Sequence, residues 1–148
     1  MAMQTALTPT RVLGLYDEPF WRLMKETGQM HLQRCSHCGT WRYPPGPACQ
    51  ECLSPDYDWK PVSGNGELLS WVMFRKQYLR EYPAPYNVIA VRLDEGPTIM
   101  SNLVEDPQDG AKIIGSRVQL EIVAMDDGVA LPRFVLSDQA SKNLEPEG

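Results

Sequence analysis

The 148 residues suit one domain, or one small domain with an appendage, and 43% hydrophobic content is ordinary for a chain with a buried core. Asp and Glu (19) outnumber Lys and Arg (14), and the net charge of −5 argues against a general polyanion binder, which needs clustered cations. No apolar run approaches the roughly 20 residues of a bilayer span and Met1 to Leu13 lacks a continuous apolar signal segment, so a reducing cytoplasm is the expected compartment.

Residues 1–16 are weakly patterned and read as an N-terminal arm. Asp17 to Gly28 predicts a short helix, with Asp17 capping the first turn, Glu18 and Pro19 in early positions, and Gly28 at the stop. Phe20, Leu23 and Met24 fall on one side, with Trp21 beside them. A helix of about three turns is marginal alone and needs packing, on its own domain or on a partner. Gln29 to Arg34 alternates as a strand, with Met30 and Leu32 opposite His31 and Gln33.

Cys35-Ser-His-Cys38, ten further residues and Cys49-Gln-Glu-Cys52 contain every cysteine of the chain. Each Cys-x-x-Cys can bend two sulfurs toward one point, and two such knuckles supply the four thiolates of a closed, structural Zn²⁺ site. Iron is the alternative metal for four thiolates. Two disulfides or four unrelated cysteines are the competing readings; a redox Cys-x-x-Cys leaves the second pair unexplained. Gly39, Gly46, Pro44, Pro45 and Pro47 suit a turn-rich loop between the knuckles, and Trp41, Arg42 and Tyr43 supply bulk to cover it. His31 and His37 are expected at the surface or behind the ligands.

Tyr57 to Val62 reads as a return strand, and Ser63-Gly64-Asn65-Gly66 is the clearest internal boundary. Strands are then predicted over 67–78, 86–93, 98–104, 117–124 and 131–136, the last despite Pro132 and after the turn signal Asp126-Asp127-Gly128. Five short strands suit an OB-fold barrel, with at most one helical turn between residues 105 and 116. The expected organisation is therefore mainly β: arm 1–16, helix and ribbon 17–63, barrel 64–137 and polar tail 138–148. Between the first two barrel strands, Arg75, Lys76 and Arg80 interleave with Tyr78, Tyr82 and Tyr86. This loop is either an ordinary exposed one or a contact surface rich in interface residue types.

Several of these elements recur together in one known family. Phe20-Trp21, Leu32-Gln33-Arg34-Cys35-x-x-Cys38-Gly39, Tyr43-Pro44-Pro45, Cys49-x-x-Cys52, Trp59 and Ser63-Gly64-x-Gly66 belong to the set, as do Pro85-Tyr86, Val91-x-Leu93-Asp94-x-Gly96 and Ile114-Gly115-x-x-Val118. Over residues 17–137 the chain resembles the zinc-ribbon and OB-fold family catalogued as domain of unknown function 35. The resemblance implies an N-terminal helix, a rubredoxin-like zinc ribbon and a C-terminal OB barrel. It also implies association, in a hetero-oligomer, with a thiolase-fold enzyme handling acyl-CoA thioesters: a thiolase, an acyltransferase, or a retro-aldolase cleaving steroid side chains.

The residues agree with an accessory role. There is no Gly-x-Ser-x-Gly elbow, phosphate loop or free cysteine for thioester chemistry, so the chain is assigned no complete catalytic set of its own. Phe20, Trp21, Trp41 and Tyr43 are expected to anchor the partner, as bulky aromatics in segments too small to bury them all. Arg75, Lys76, Tyr78, Arg80, Tyr82 and Tyr86 are candidate contacts for the partner or for acyl-CoA at a shared interface. The alternative class is a single-stranded nucleic-acid binder, which the excess of acids disfavours.

Overall fold

A computed structural model describes residues 11–138; the first ten residues of the expected arm and the tail from 139 onward lie outside the described residues. Helix α1 (Asp17–Thr27) ends where expected, at Gly28, whose positive φ of 70° lets its N–H reach the Met24 carbonyl at 3.0 Å. Its start differs from expectation. Asp17 lies inside the first turn and caps nothing; Tyr16 occupies the cap position without a side-chain bond. Asp17 and Glu18 still place negative charge at the helix N-terminus, where the backbone dipole favours it. Phe20 and Met24, one turn apart, are the residues that α1 buries.

Three antiparallel strands form the ribbon in the order β2-β1-β3: β1 (His31–Cys35) lies between β2 (Trp41–Arg42) and β3 (Tyr57–Pro61). The alternation of β1 holds for Met30 and Leu32, both in the core, but Gln33 is also fully buried instead of facing water. The reason is local: its Oε1 accepts the Gly46 N–H at 2.8 Å, so the side chain folds inward to fasten the loop between the knuckles.

The second sheet runs β6-β5-β4-β7-β8, antiparallel throughout, with β4 (Asn65–Phe74), β5 (Tyr86–Leu93), β6 (Thr98–Ser101), β7 (Arg117–Ala124) and β8 (Ala130–Leu136). β4 starts two residues earlier than predicted and stops at Phe74, and its register shifts between Leu68 and Ser70, a bulge that helps the strand curl. Gly66 is required inside β4, because a Cβ there would lie 2.6 Å from the Arg92 carbonyl oxygen of β5. Just beyond β6, Leu103 forms a parallel bridge to Phe134 of β8, bringing the two ends of the curled sheet together. Between β6 and β7 a single turn, α2 (Gly110–Ile113), is capped by Asp109, which accepts the Ala111 N–H.

A buried asparagine of β5 holds the segment that follows β6. Asn87 Nδ2 donates to the Leu103 carbonyl (3.1 Å) and to Asp106 (2.5 Å), its Oδ1 accepts the Leu103 N–H (2.6 Å), and Asn102 donates to its carbonyl. Inward residues of the barrel (Leu68, Ile89, Val91, Ile99, Val118, Phe134) and residues of the helix and ribbon (Phe20, Met24, Met30, Leu32) make one continuous core. α1 packs on β1 and on β8, so it covers both sheets.

Candidate metal centre and adjoining surfaces

The two knuckles converge. Cys35, Cys38, Cys49 and Cys52 bring their sulfurs within 4.8 Å of one another, although 17 residues separate the first from the last. Cys35–Cys52 and Cys38–Cys49 are each 3.5 Å apart. Tetrahedral ligation with metal–sulfur bonds near 2.3 Å calls for sulfurs roughly 3.8 Å apart, so the set fits one metal ion held by four thiolates. Matching backbone bonds build the knuckles: Gly39 N–H to the Cys35 carbonyl (3.0 Å), and Leu53 N–H to the Cys49 carbonyl (3.0 Å).

The electrostatics of the four sulfurs describe a site built for a cation. The Cys38 and His37 backbone N–H groups point at the Cys35 sulfur and bring its pKa down to about 5, against burial. Those of Cys52 and Glu51 lower Cys49 likewise. Cys52 has the Ser54 N–H pulling it down, but burial and the three neighbouring sulfurs push it up to about 12. Four negative sulfurs at this spacing repel one another, and a divalent metal removes that repulsion. His31 and His37 take no part: the His31 ring contacts the Gln29 carbonyl, and His37 is exposed.

The predicted aromatic anchors face inward more than expected. Phe20 is only 5% exposed, a core residue that corrects its assignment as a docking anchor. Trp21 stands edge-on to it at 5.2 Å and carries the Arg11 guanidinium over its face at 4.0 Å. Tyr43 lies 6.3 Å from Phe20, with its hydroxyl pKa raised by burial, and Trp41 lies under Arg34. Trp21, Trp41 and Tyr43 are half-buried against the shared core. Helix, ribbon and barrel together supply the burial that each segment lacks alone.

Exposed apolar side chains lie before the helix (Val12, Leu15), on the second knuckle (Leu53) and on the barrel. Val72 (46% exposed) and Met100 (63%) are on its outside, and Tyr78 (63%) and Leu79 (48%) are in the loop after β4. That loop is partly ordered by rings: Phe74 stacks on Tyr86 at 5.3 Å, and Tyr82 approaches Tyr86 at 6.0 Å. Arg80, Tyr82 and Tyr86 face the β7–β8 hairpin across a cleft of about 470 Å³, whose far wall includes Met125 and Arg133. Arg75, Lys76 and Tyr78 are exposed outside it. Arg133 was not legible as a site residue, because only closure of the barrel carries β8 to this loop. A second cleft, about 690 Å³, separates the knuckles from the β5–β6 turn.

A paired-knuckle cysteine ribbon joined to a curled five-stranded barrel defines a ribbon–OB protein. The chain belongs to the family catalogued as domain of unknown function 35: residues 32–58 match "ChsH2, rubredoxin-like zinc ribbon domain" and residues 59–123 match "ChsH2, C-terminal OB-fold domain". It is 34% identical over 118 residues to a probable enoyl-CoA hydratase alpha subunit of Thermomonospora curvata, covering 80% of this chain and 37% of that one. The chain thus spans little more than a third of that relative's length. A DUF35 domain-containing scaffold protein of Pyrococcus furiosus is 28% identical over 92 residues, covering 61% of this chain and 67% of its own. Among solved structures, an Ltp2-ChsH2(DUF35) aldolase chain superposes with a TM-score of 0.76 at 29% identity, covering 86% of this chain and 99% of that one. A Sulfolobus solfataricus DUF35 protein (TM-score 0.57, 13% identity) shares the fold.

Proposed function

We propose that this chain is the accessory subunit of a thiolase-like enzyme acting on acyl-CoA thioesters, steadying that partner or completing its acyl-CoA site. One observation carries the reading: the chain matches almost the whole of a chain from an aldolase named for two components. The hydratase-subunit and scaffold names of the other relatives point the same way. The ribbon metal is Zn²⁺ in this reading, with iron as the alternative, held by Cys35, Cys38, Cys49 and Cys52 as a structural centre. The functional division falls near residue 63, between helix plus ribbon and barrel.

Contacts to the partner or to acyl-CoA come from the loop after β4 and the first residue of β5. Arg75, Lys76 and Arg80 offer charge to phosphates, and Tyr78, Tyr82 and Tyr86 offer ring faces. Trp21, Trp41 and Tyr43 supply half-buried edges at the rim, and Phe20 drops out. The test is purification of the tagged chain from its own cells, followed by acyl-CoA turnover assays on the complex and on the chain alone. The expected result is a thiolase-fold partner and turnover by the complex only. Robust turnover by the pure chain, or micromolar, salt-sensitive binding to single-stranded DNA at physiological ionic strength, overturns the proposal.

A further inference from the structure

Arg42 presents an unbalanced charge inside the ribbon. It is 4% exposed, and no carboxylate among the described residues forms an ion pair with it. Its Nη2 donates to two carbonyls, Ser54 at 2.9 Å and Asp56 at 3.1 Å, while its Nε and Nη1 are buried without partners. A buried guanidinium with dipoles alone around it is costly unless a negative charge lies close by.

The placement of Arg42 identifies that charge. Arg42 is paired with Gln33 across β2 and β1, so its side chain shares the β1 face on which Cys35 lies two residues further on. The guanidinium sits 5.1 Å over the ring of Tyr57, the register partner of Cys35 in β3. The two carbonyls that it holds are themselves knuckle acceptors. Ser54 receives the Cys49 N–H at 2.9 Å, and Asp56 receives the Ser36 N–H at 3.1 Å. Arg42 is therefore fastened to the backbone that shapes both knuckles. Four thiolates around one divalent metal form a dianion, and among the described residues this is the negative centre that the ribbon encloses.

We infer that Arg42 is the internal counter-cation of the metal centre, a positioning residue whose charge stabilises the tetrathiolate while its fork ties the two knuckles together. The inference rests on the metal reading of the four cysteines and can fail separately from it. The cation favours the more negative form of the site. In the iron-loaded chain that is the ferrous state, a dianion, over the ferric monoanion.

The experiment compares the full chain with Arg42→Gln, which keeps hydrogen-bond donors and loses the charge, and Arg42→Lys, which keeps the charge and loses the fork. Each is loaded with iron for a midpoint potential and with zinc for chelator competition. Arg42→Gln should favour the ferric form at least tenfold more than wild type, a potential lower by about 59 mV for one electron, and should bind zinc about tenfold more weakly. Arg42→Lys should stay within about threefold of wild type in both, roughly half that shift in potential. A Gln variant that holds no metal while the Lys variant does also supports the inference. An unmoved potential in Arg42→Gln, or equal loss of metal in both variants, overturns it and leaves Arg42 a neutral clamp. A wild-type chain that takes up no metal overturns the metal reading and this one together.

Discussion

The indole ring of Trp71 in β4 fills the space that a side chain on Gly110, the first residue of α2, would need: a Cβ there would overlap the ring. The glycine is buried, and its φ does not require glycine; the ring above it does. Gly110→Ala should therefore cost about 1–3 kcal/mol through overpacking. Urea unfolding checks the value, and Trp71→Leu in the Gly110→Ala background should recover part of it. Equal midpoints for wild type and Gly110→Ala would show that the indole has somewhere else to go.

The metal centre makes a prediction about folding. Cys49 is 1% exposed, so a Ser there leaves three ligands and a buried hydroxyl. Cys49→Ser should lose its metal and a sizeable share of the roughly 10–16 kcal/mol by which structural zinc is coupled to folding. Elemental analysis and thermal melts with and without a strong chelator read both. Full metal content in the variant counts against four-thiolate ligation.

Asn87 ties the segment just beyond β6, at Leu103, to β5 through both ends of its side-chain amide. Replacing it by Ala leaves the Leu103 N–H and carbonyl without that partner, for an expected loss of about 2–4 kcal/mol. Loss below about 1 kcal/mol, measured by urea titration, means that water takes over the amide's bonds.

Asp94 and Arg117 supply a pH dependence of known sign. Arg117 bonds both carboxylate oxygens, at 2.9 and 2.6 Å, and holds the Asp94 pKa below its ordinary value. The stabilisation is complete above the unfolded carboxylate pKa, near 3.9, and fades as pH falls through the lower folded value. The pair is about half exposed and screened by water, so Asp94→Asn should cost little at pH 7. The gap between wild type and variant should close in strong acid. A gap that widens there reverses the assignment.

The features legible in the sequence are the short-range ones. Four cysteines at fixed spacing, Gly28 after a helix and Tyr86–Leu93 with its strict alternation need only neighbouring residues to be recognised. Residues whose roles depend on distant partners read wrongly or not at all. Phe20 looked like an exposed anchor because its segment alone cannot bury it; the ribbon and barrel do. Gln33, placed opposite Met30 and Leu32 on its strand, is buried as well, because its Oε1 accepts the N–H of Gly46, 13 residues away. Arg42 read as bulk beside a knuckle, since its buried carbonyl partners lie 12 and 14 residues away.

The seat of α1 on β8 has a consequence for the order of events during folding. The knuckles can close as soon as residue 52 is available, since their ligands lie within 17 residues of one another. The helix that precedes them has half of its seat on a strand about a hundred residues later. Such a contact carries a high loop-closure cost and forms late. A nascent chain would thus hold its ribbon while Phe20 and Met24 were covered on the ribbon side only, and arrival of β8 would complete both the barrel and the seat of the helix.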